Sequence, residues 1–212
     1  MENNITFKEF NISQKMLRAI EDLGFEEPTP IQVSTIPAIL EGRDVTGQAQ
    51  TGTGKTAAFG IPAIERIDPE SRETQVLVLS PTRELAIQIA EEFARLAKHH
   101  RGINILPIYG GQPIERQFKG LQRGAQIVVG TPGRVLDHLD RGTLSFAAVN
   151  LVVLDEADQM LDMGFREDIE KILDETPEGR QTVLFSATLP KPILEISKRF
   201  QKDPEFISVA RR

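Results

Sequence analysis

Short apolar runs rich in β-branched residues alternate with longer helix-like stretches through most of this chain, and no other feature restricts the fold as much. The runs occupy residues 75–79, 103–108, 126–129, 151–154 and 182–185. The clearest helical stretch, residues 84–97, carries Leu85, Ile89, Phe93 and Leu96 at helical spacing. Repeated strand–helix units favour right-handed crossovers and a mostly parallel, twisted sheet with helices on both faces. We therefore predict an α/β fold.

The front of the chain has a different pattern. Ser13 and Thr29 are typical helix N-caps, and Pro30 follows Thr29 at the first helical position. These signals predict two short helices, at about 14–23 and 30–40, before a first strand around 44–47. A last strand is expected just before residue 209. We expect a helical N-terminal segment over residues 1–43 and a sheet domain over residues 44–212.

Composition limits the class of protein. The chain has 212 residues, of which 40% are hydrophobic, enough for a packed core, and it has no cysteine. Without cysteine there is no disulfide or thiolate metal site, which suits a reducing cytosol. The start of the chain lacks the basic and apolar regions of a signal peptide, and no apolar run approaches the roughly 20 residues that span a bilayer. We expect a soluble cytoplasmic protein that does not contact a membrane.

The net charge of the chain does not decide whether it binds nucleic acid. The net charge of −6 argues against nucleic-acid binding if it is taken as an average. Residues 98–101 and the spaced Arg116, Lys119 and Arg123 could nevertheless form local basic patches. Ordinary solvated helix faces would explain the same residues equally well.

Six polar segments rich in glycine and proline follow the ends of predicted strands. They lie at residues 49–56, 80–83, 109–112, 130–134, 155–158 and 186–188. Because the carboxyl ends of parallel strands meet at one edge of a sheet, we expect these segments to form a single ligand-binding surface. The loops expected at the opposite edge, 72–74 and 178–180, have no distinctive residues, and we interpret them as connectors.

The first of these segments has the composition of a phosphate-binding loop. Gly52 and Gly54 allow backbone N–H groups to close around phosphate oxygens, and the following helix points its positive end at them. Lys55 can neutralise the β- and γ-phosphates, and the hydroxyl of Thr56 can join a Mg²⁺ shell. Ala49 stands where the generic pattern has a glycine. A chance glycine-rich turn is the alternative interpretation.

Two adjacent carboxylates follow the apolar run 151–154. Asp155 is placed to hold Mg²⁺ through water, and Glu156 is the candidate base for the attacking water. A solvated helix start, where carboxylates complement the helix dipole, would explain the two acids alone. It does not explain their combination with the phosphate loop.

At this point the chain resembles the first RecA-like domain of a DEAD-box RNA helicase. Asp155-Glu156-Ala157-Asp158 is the motif that names the family, and in the family's own phosphate loop alanine is normal at the position of Ala49. The remaining matches occur in order along the whole chain: Phe7, the segment 24–32 with Gly24-Phe25 and Gln32, Pro81-Thr82-Arg83-Glu84-Leu85-Ala86, Gly110-Gly111, Thr131-Pro132-Gly133-Arg134 and Ser186-Ala187-Thr188.

The resemblance implies roles for these residues. It implies catalysis by Glu156, Lys55 and Asp155, and Mg²⁺ held by Thr56 and Asp155. The implied ATP-binding residues are Phe25, Gln32, Ala49, Gln50, Thr51, Gly52, Thr53, Gly54, Lys55 and Thr56. The implied RNA contacts, to backbone and 2′-hydroxyl groups without reading sequence, are Pro81, Thr82, Arg83, Gly111, Gln112, Thr131, Gly133 and Arg134. In this scheme Phe25 stacks on adenine and Gln32 reads its edge, whereas a core position is the alternative for Phe25.

Three residues are expected to couple hydrolysis to strand separation. Ser186 and Thr188 carry hydroxyls that can face the carboxylate of Asp158, although satisfied loop hydroxyls and a helix cap are the simpler interpretation.

The three histidines, His99, His100 and His138, are interpreted as surface or helix residues, because their spacing does not suit a metal.

The implied function is the ATP-binding half of an ATP-dependent RNA helicase. The family's second RecA-like domain, which supplies arginines to the γ-phosphate, is expected as a partner and is not found in this sequence. The chain alone should therefore bind ATP and hydrolyse it slowly. The alternatives are a different P-loop ATPase, such as a DNA helicase, and a nucleotide-dependent RNA clamp or scaffold that does not unwind.

Overall fold

The computed structural model describes residues 4–209 as alternating helices and parallel strands. A single 3₁₀ turn, Phe7–Glu9, precedes the first α-helix. The nine α-helices of this part of the chain are α1 Gln14–Asp22, α2 Pro30–Leu40, α3 Lys55–Glu65, α4 Arg83–Leu96, α5 Glu115–Arg123, α6 Pro132–Asp140, α7 Ala157–Asp162, α8 Arg166–Glu175 and α9 Lys191–Phe200. The strands are β1 Val45–Gln48, β2 Val76–Leu79, β3 Ile105–Ile108, β4 Ile127–Gly130, β5 Leu151–Leu154, β6 Gln181–Ser186 and β7 Glu205–Ser208.

The seven strands form one sheet in the order β3-β4-β2-β5-β6-β1-β7, and every pairing is parallel. Val183 of β6 pairs with Val45 of β1 on one side and with Val153 of β5 on the other. The register therefore places the ends of β1 and β6, Gln48 and Ser186, at the same level. Strand β5 ends two residues earlier, with Leu154 opposite Leu184, so the loop that carries Asp155 begins lower along the sheet.

The hydrophobic core has two layers, one on each face of the sheet. Along β2, Val76 and Val78 belong to one layer and Leu77 and Leu79 to the other, as the alternation of side chains along a strand requires. All four side chains are fully buried. A strand covered on both faces is apolar without interruption, which is why these runs were recognisable in the sequence.

The N-terminal segment packs into the first of these layers. Phe7, Phe10, Met16 and Ile20 are buried in the same cluster as Phe59 and the sheet residues of that face. The segment is thus part of the folded core, and the boundary at residue 43 remains a prediction. The outermost residues of the predicted segments, 1–3 and 210–212, lie outside the described part of the chain.

The predicted elements are confirmed, with bounds that differ by no more than two residues. Helix α2 and strand β5 begin and end where the sequence predicted. Ser13 caps α1, since its hydroxyl accepts a hydrogen bond from the N–H of Met16 at 3.1 Å. Among residues 4–209 no helix has both the length and the apolar character needed to cross a bilayer.

Candidate functional site

The six polar segments lie at one edge of the sheet. They follow β1, β2, β3, β4, β5 and β6 in turn, and all of these strands run in the same direction. The strand order divides the edge into two halves. The segments with the candidate phosphate-loop, catalytic and coupling residues follow the neighbouring strands β1, β5 and β6, whereas those with the candidate RNA residues follow β3, β4 and β2.

The glycine-rich loop is held against the first turn of α2. The amide of Gln32 donates a hydrogen bond to the carbonyl of Gly54 and accepts one from the N–H of Thr29, both at 3.0 Å. Gly54 has φ of 83°, and a Cβ there would lie 2.6 Å from Nε2 of Gln32. Both the backbone angle and the lack of space therefore require glycine at this position. Helix α3 starts at the next residue, Lys55, so its free N–H groups face the loop.

Lys55 joins the loop to both carboxylates. Its Nζ lies 3.1 Å from Oδ1 of Asp155 and 3.4 Å from Oε1 of Glu156. Asp155 is completely buried, and Lys55 is 6% exposed. Burial raises the pKa of Asp155, and the charge of Lys55 opposes this shift. Three groups predicted from sequence positions a hundred residues apart are thus in direct contact.

One oxygen of Asp155 has no hydrogen-bond partner within residues 4–209. Oδ1 accepts a hydrogen bond from the N–H of Glu156 at 3.0 Å in addition to its contact with Lys55. Oδ2 is buried without a hydrogen bond among the described residues. A buried oxygen with a free lone pair is a site for a hard cation or for a water bound to one.

The residues fit Mg²⁺ only as part of a nucleotide complex. Within residues 4–209 no group of three or more histidine, cysteine or acidic side chains could hold a metal by itself. Magnesium in nucleotide sites takes one or two protein ligands and completes its shell with phosphate and water. Asp155 and the half-buried Thr56 are suited to supply those protein ligands.

Glu156 has a strained backbone. Its φ of 51° and ψ of 50° place a non-glycine residue in the left-handed region, at the N-cap of α7. Such a conformation costs of order 1–3 kcal/mol and is retained where the surrounding structure imposes it. It aims the Glu156 side chain, which is 17% exposed, at Lys55.

Phe25 lies beside a cleft of about 700 Å³ that is lined by the 3₁₀ turn, α1 and the segment after it. Its ring is half-buried and stacks on Phe7, with ring centroids 6.5 Å apart and 24° between the planes. Phe25 therefore packs on the core and also borders open space, so it matches part of both interpretations offered for it. Gln32 is 3% exposed and already bonded to Thr29 and Gly54, so adenine recognition by this amide remains a prediction.

Asp158 lies on α7, which follows β5, and it contacts Ser186 at the end of β6 and Thr188 just after it. Its carboxylate accepts hydrogen bonds from the hydroxyl of Thr188 at 2.9 Å and from the N–H of the same residue at 3.2 Å. Its own N–H donates to the hydroxyl of Ser186 at 3.2 Å. Gln48, at the end of β1, donates to the carbonyl of Ala187 at 3.3 Å. The contacts expected from the sequence are present, whereas the coupling role remains a prediction.

The candidate RNA residues lie on three neighbouring loops. Arg134 donates to the carbonyl of Gln112 at 2.9 Å, which ties the loop after β4 to the loop after β3. The guanidinium of Arg83 lies 4.9 Å from the ring centroid of Tyr109, which ties in the loop after β2. Arg83, Gly111 and Gly133 are exposed, and Thr82, Gln112 and Arg134 are half-buried. Pro81 and Thr131 are buried, so we expect them to act by shaping the loop backbone.

Sequence reasoning missed Gln117, which connects these loops. Gln117 is buried on α5; its amide donates to the carbonyl of Tyr109 at 3.0 Å, and its Oε1 lies 3.4 Å from Nη1 of Arg134. The same Oε1 lies 2.7 Å from Nε2 of His138. The sequence signal for this role is weak: Gln117 is an uncharged polar residue at the buried position of α5, a helix with several charged residues.

Of the two alternatives offered for His138, a surface residue or a helix residue, the structure shows the helix residue. It lies on α6, as a helix residue, but its side chain is completely buried. Burial lowers the pKa of His138, and the charge of Arg134 adds to this effect. His99 fits its surface interpretation and contacts Asp22, as Lys98 does, so this part of the basic run 98–101 is a solvated, ion-paired face.

Comparison with known proteins gives the family. The family model described as DEAD/DEAH box helicase matches residues 29–196. "DEAD-box ATP-dependent RNA helicase CshA" of Geobacillus kaustophilus is 56% identical over 204 residues, which cover 96% of this chain and 44% of that protein. "ATP-dependent RNA helicase DeaD" of Klebsiella pneumoniae is 53% identical over 98% of this chain and 32% of its own length. The chain thus spans less than half the length of these curated relatives.

Solved structures agree with the observed fold. The crystal structure of a DEAD box protein from Methanococcus jannaschii superposes with a TM-score of 0.93 at 47% identity, over 97% of this chain and 56% of that one. A hypothetical ATP-dependent RNA helicase from Sulfolobus tokodaii gives a TM-score of 0.85 at 39% identity, over 93% of this chain and 57% of that one. With the family model, the relatives and the RecA-like sheet in agreement, this chain belongs to the DEAD/DEAH box helicase family.

Proposed function

We propose that this chain is the ATP-binding half of an ATP-dependent RNA helicase, an enzyme that couples ATP hydrolysis to local separation of RNA strands. The observation that carries the proposal is the position of Lys55 between the buried Asp155 and the strained Glu156, directly behind the glycine-rich loop. A structural ion pair would not need a left-handed glutamate or an unpaired buried oxygen on its aspartate.

Each group then has a chemical task. The N–H groups of the loop and of the first turn of α3 hold the phosphates, and Lys55 moves from the carboxylates towards the β- and γ-phosphates. Glu156 orients the attacking water and accepts its proton. Thr56 and Asp155 hold Mg²⁺, which supplies neutralisation of the phosphate charge. Phe25 and Gln32 receive the adenine, since each bonded atom of the Gln32 amide retains further hydrogen-bonding capacity.

The other half of the edge is proposed to hold the RNA backbone. Arg83, Arg134 and the exposed Gly111 lie on loops that contact one another. Backbone amides and a helix start can bind phosphate without lysines, which reconciles RNA binding with a net charge of −6. Asp158, Ser186 and Thr188 would transmit changes between nucleotide and RNA. A second RecA-like domain in the longer protein is the proposed partner, and the cytoplasm is the proposed location.

The test is ATP turnover by this chain with and without RNA, repeated on a longer protein that includes the second domain. We expect slow, RNA-independent hydrolysis by the chain alone and RNA-stimulated hydrolysis by the longer protein, because arginines from another domain contribute about 10³–10⁵ in rate to related phosphoryl transfers. Robust RNA-stimulated turnover by this chain alone would refute the split site. A longer protein that binds ATP and RNA without turnover would be a clamp. DNA stimulation equal to RNA stimulation would indicate a different P-loop ATPase.

A further inference from the structure

A second large cleft lies at the opposite edge of the sheet. Its volume is about 670 Å³, within the usual range for small-molecule sites. It is formed where β1, β5, β6 and β7 begin, by Asp44, Asn150, Gln181 and the loop before β7. The four-residue β1 separates it from the glycine-rich loop, a distance of about 13 Å at 3.3 Å per residue. The cleft is therefore distinct from the proposed ATP and RNA surface.

The lining of this cleft is cationic in an acidic protein. Four basic side chains, Arg43, Arg66, Arg180 and Lys202, line it with two carboxylates, Asp44 and Asp203. Because Arg43 is ion-paired with Glu41 and Glu205, the other three cations exceed the two lining carboxylates by about one charge. The chain as a whole carries −6. A local excess of positive charge in a concave site attracts anions and raises their concentration there.

Three of the four cations have no carboxylate within ion-pair distance among residues 4–209. Arg66 donates only to neutral groups, the backbone and side-chain oxygens of Asn150 and the side chain of Gln181. Arg180 donates to the carbonyls of Pro177 and Phe200, and its Nε is buried without a partner. Lys202 donates to the carbonyl of Glu178 at 3.4 Å. These cations are thus hydrogen-bonded but not neutralised by a direct ion pair.

Among residues 4–209, Asp44 is held by backbone groups and makes no direct ion pair with these three cations. Both oxygens of Asp44 already accept backbone N–H groups, from Thr182 at 2.9 Å and from Lys202 at 2.7 Å. Burial lowers the pKa of Arg66 and also that of Arg180, and for Arg180 the charges of Asp44, Asp174 and Glu178 oppose the effect only in part. Arg66 and Arg180 are half-buried, so part of their hydration is lost without a direct counterion, and a bound anion would offset that loss.

We propose that this cleft binds a small phosphate-type anion, either inorganic or the terminal diphosphate of a nucleotide, through Arg66, Arg180 and Lys202. Two guanidinium groups and an ammonium group provide forked and single donors that match the oxygens of a diphosphate. Arg43 is excluded from this set because its guanidinium is already paired with Glu41 at 3.0 Å and with Glu205 at 2.7 Å. The loop 178–180, interpreted from sequence as a connector, then forms part of a second binding site.

The test is an NMR titration of the ¹⁵N-labelled chain with inorganic pyrophosphate, with the glycine-rich loop saturated by ADP and Mg²⁺. We expect saturable shifts of the amides of Gly179, Arg180 and Lys202, with small changes around Lys55. A parallel titration with GDP distinguishes the sources: equal affinity indicates recognition of the diphosphate alone, and tighter binding indicates a nucleotide. Either pattern supports the proposal. Shifts confined to the glycine-rich loop would overturn it.

Substitutions make the test specific to the three cations. Arg66→Gln and, separately, the exposed Lys202→Gln should each weaken pyrophosphate binding about tenfold, as expected for the loss of a charged hydrogen-bond donor. Arg43→Gln, on the same rim but neutralised by its own carboxylates, is the matched control and should leave binding unchanged. ADP affinity measured on the same samples checks that each variant is folded. Equal weakening by all three substitutions would indicate non-specific attraction and refute the proposed site.

Discussion

The substitution Lys55→Met tests the charge arrangement of the candidate active site. At an effective dielectric constant of about 20, two unit charges 3.1 Å apart attract by about 5 kcal/mol, before desolvation is subtracted. Removing one partner of a buried pair typically costs about 3–5 kcal/mol, because the other charge remains buried alone. Since Asp155 is completely buried, we expect Lys55→Met to lower the free energy of unfolding by about 3 kcal/mol at pH 7. For a chain of 212 residues this corresponds to a Tm about 6–12 °C lower.

The pH dependence of this loss identifies its cause. Burial raises the pKa of Asp155 above its ordinary value of 3.8, so the folded state binds a proton more tightly than the unfolded state does. The free-energy cost of burying the charged carboxylate is therefore absent below pH 3.8, and it grows as the pH rises from there through the pKa of Asp155 in the folded state. Without Lys55 the pKa of Asp155 rises further, so the stability difference between the variant and the parent should shrink as the pH is lowered from 7 towards the ordinary pKa of 3.8.

The assay is urea unfolding followed by circular dichroism at several pH values. Lys98→Met is the matched control, because Lys98 pairs with Asp22 at 3.2 Å on the surface and its loss should leave the free energy of unfolding nearly unchanged. The double variant Lys55→Met/Asp155→Asn should recover about 2 kcal/mol of the loss, since no buried charge is then left unpaired. A loss of less than 1 kcal/mol that does not depend on pH would refute this account.

Three further predictions concern function. Phe25→Ala should weaken ATP binding by about 5- to 150-fold, the range for loss of base stacking at 1–3 kcal/mol, measured by fluorescence titration with an ATP analogue. Asp158→Asn, which disturbs the contacts to Thr188, should leave ATP affinity unchanged and lower RNA-stimulated turnover of the longer protein about tenfold, a proposed coupling loss of about 1.4 kcal/mol. Gln117→Leu should raise the RNA concentration for half-maximal stimulation about tenfold with little change in kcat, because it frees Arg134 from its partner on α5.

Each functional prediction has a control and a contradicting outcome. Phe206→Ala removes a ring that is 57% exposed on β7 and should not affect ATP binding; an equal effect of both phenylalanine substitutions would contradict the adenine role of Phe25. A fall in ATP affinity with Asp158→Asn would show that the residue supports the nucleotide site itself. If Gln117→Leu lowers kcat alone, its role is not to position the RNA loops.

The sequence predicted elements well where local signals and burial agree. The run Leu151–Leu154 is apolar throughout and too short for a typical helix, which favours a strand buried on both faces, and its bounds are confirmed. Helix α2 carries its own start signal in Thr29-Pro30. The contact of Lys55 with Asp155 was predictable as well, because motif spacing and the parallel sheet bring both to one edge.

Long-range polar contacts could not be predicted in the same way. The burial of His138 and its contact with Gln117 depend on how α5 and α6 pack, and neither residue has a local pattern that reports this. Likewise, Arg66, Arg180 and Lys202 are separated in sequence and look like ordinary surface residues. Only the folded chain shows that they line one cleft, and that none of them has a carboxylate within ion-pair distance in the described part of the chain.

The register of the central strands has a mechanical consequence. Val183 is hydrogen-bonded into ladders with both β1 and β5, so the strands beneath the glycine-rich loop, Asp155 and Ser186 cannot slide past one another without breaking backbone hydrogen bonds. Any large displacement during a reaction cycle must then occur in the loops or between this chain and another body. The central sheet therefore behaves as a rigid body, and large conformational changes are expected outside it.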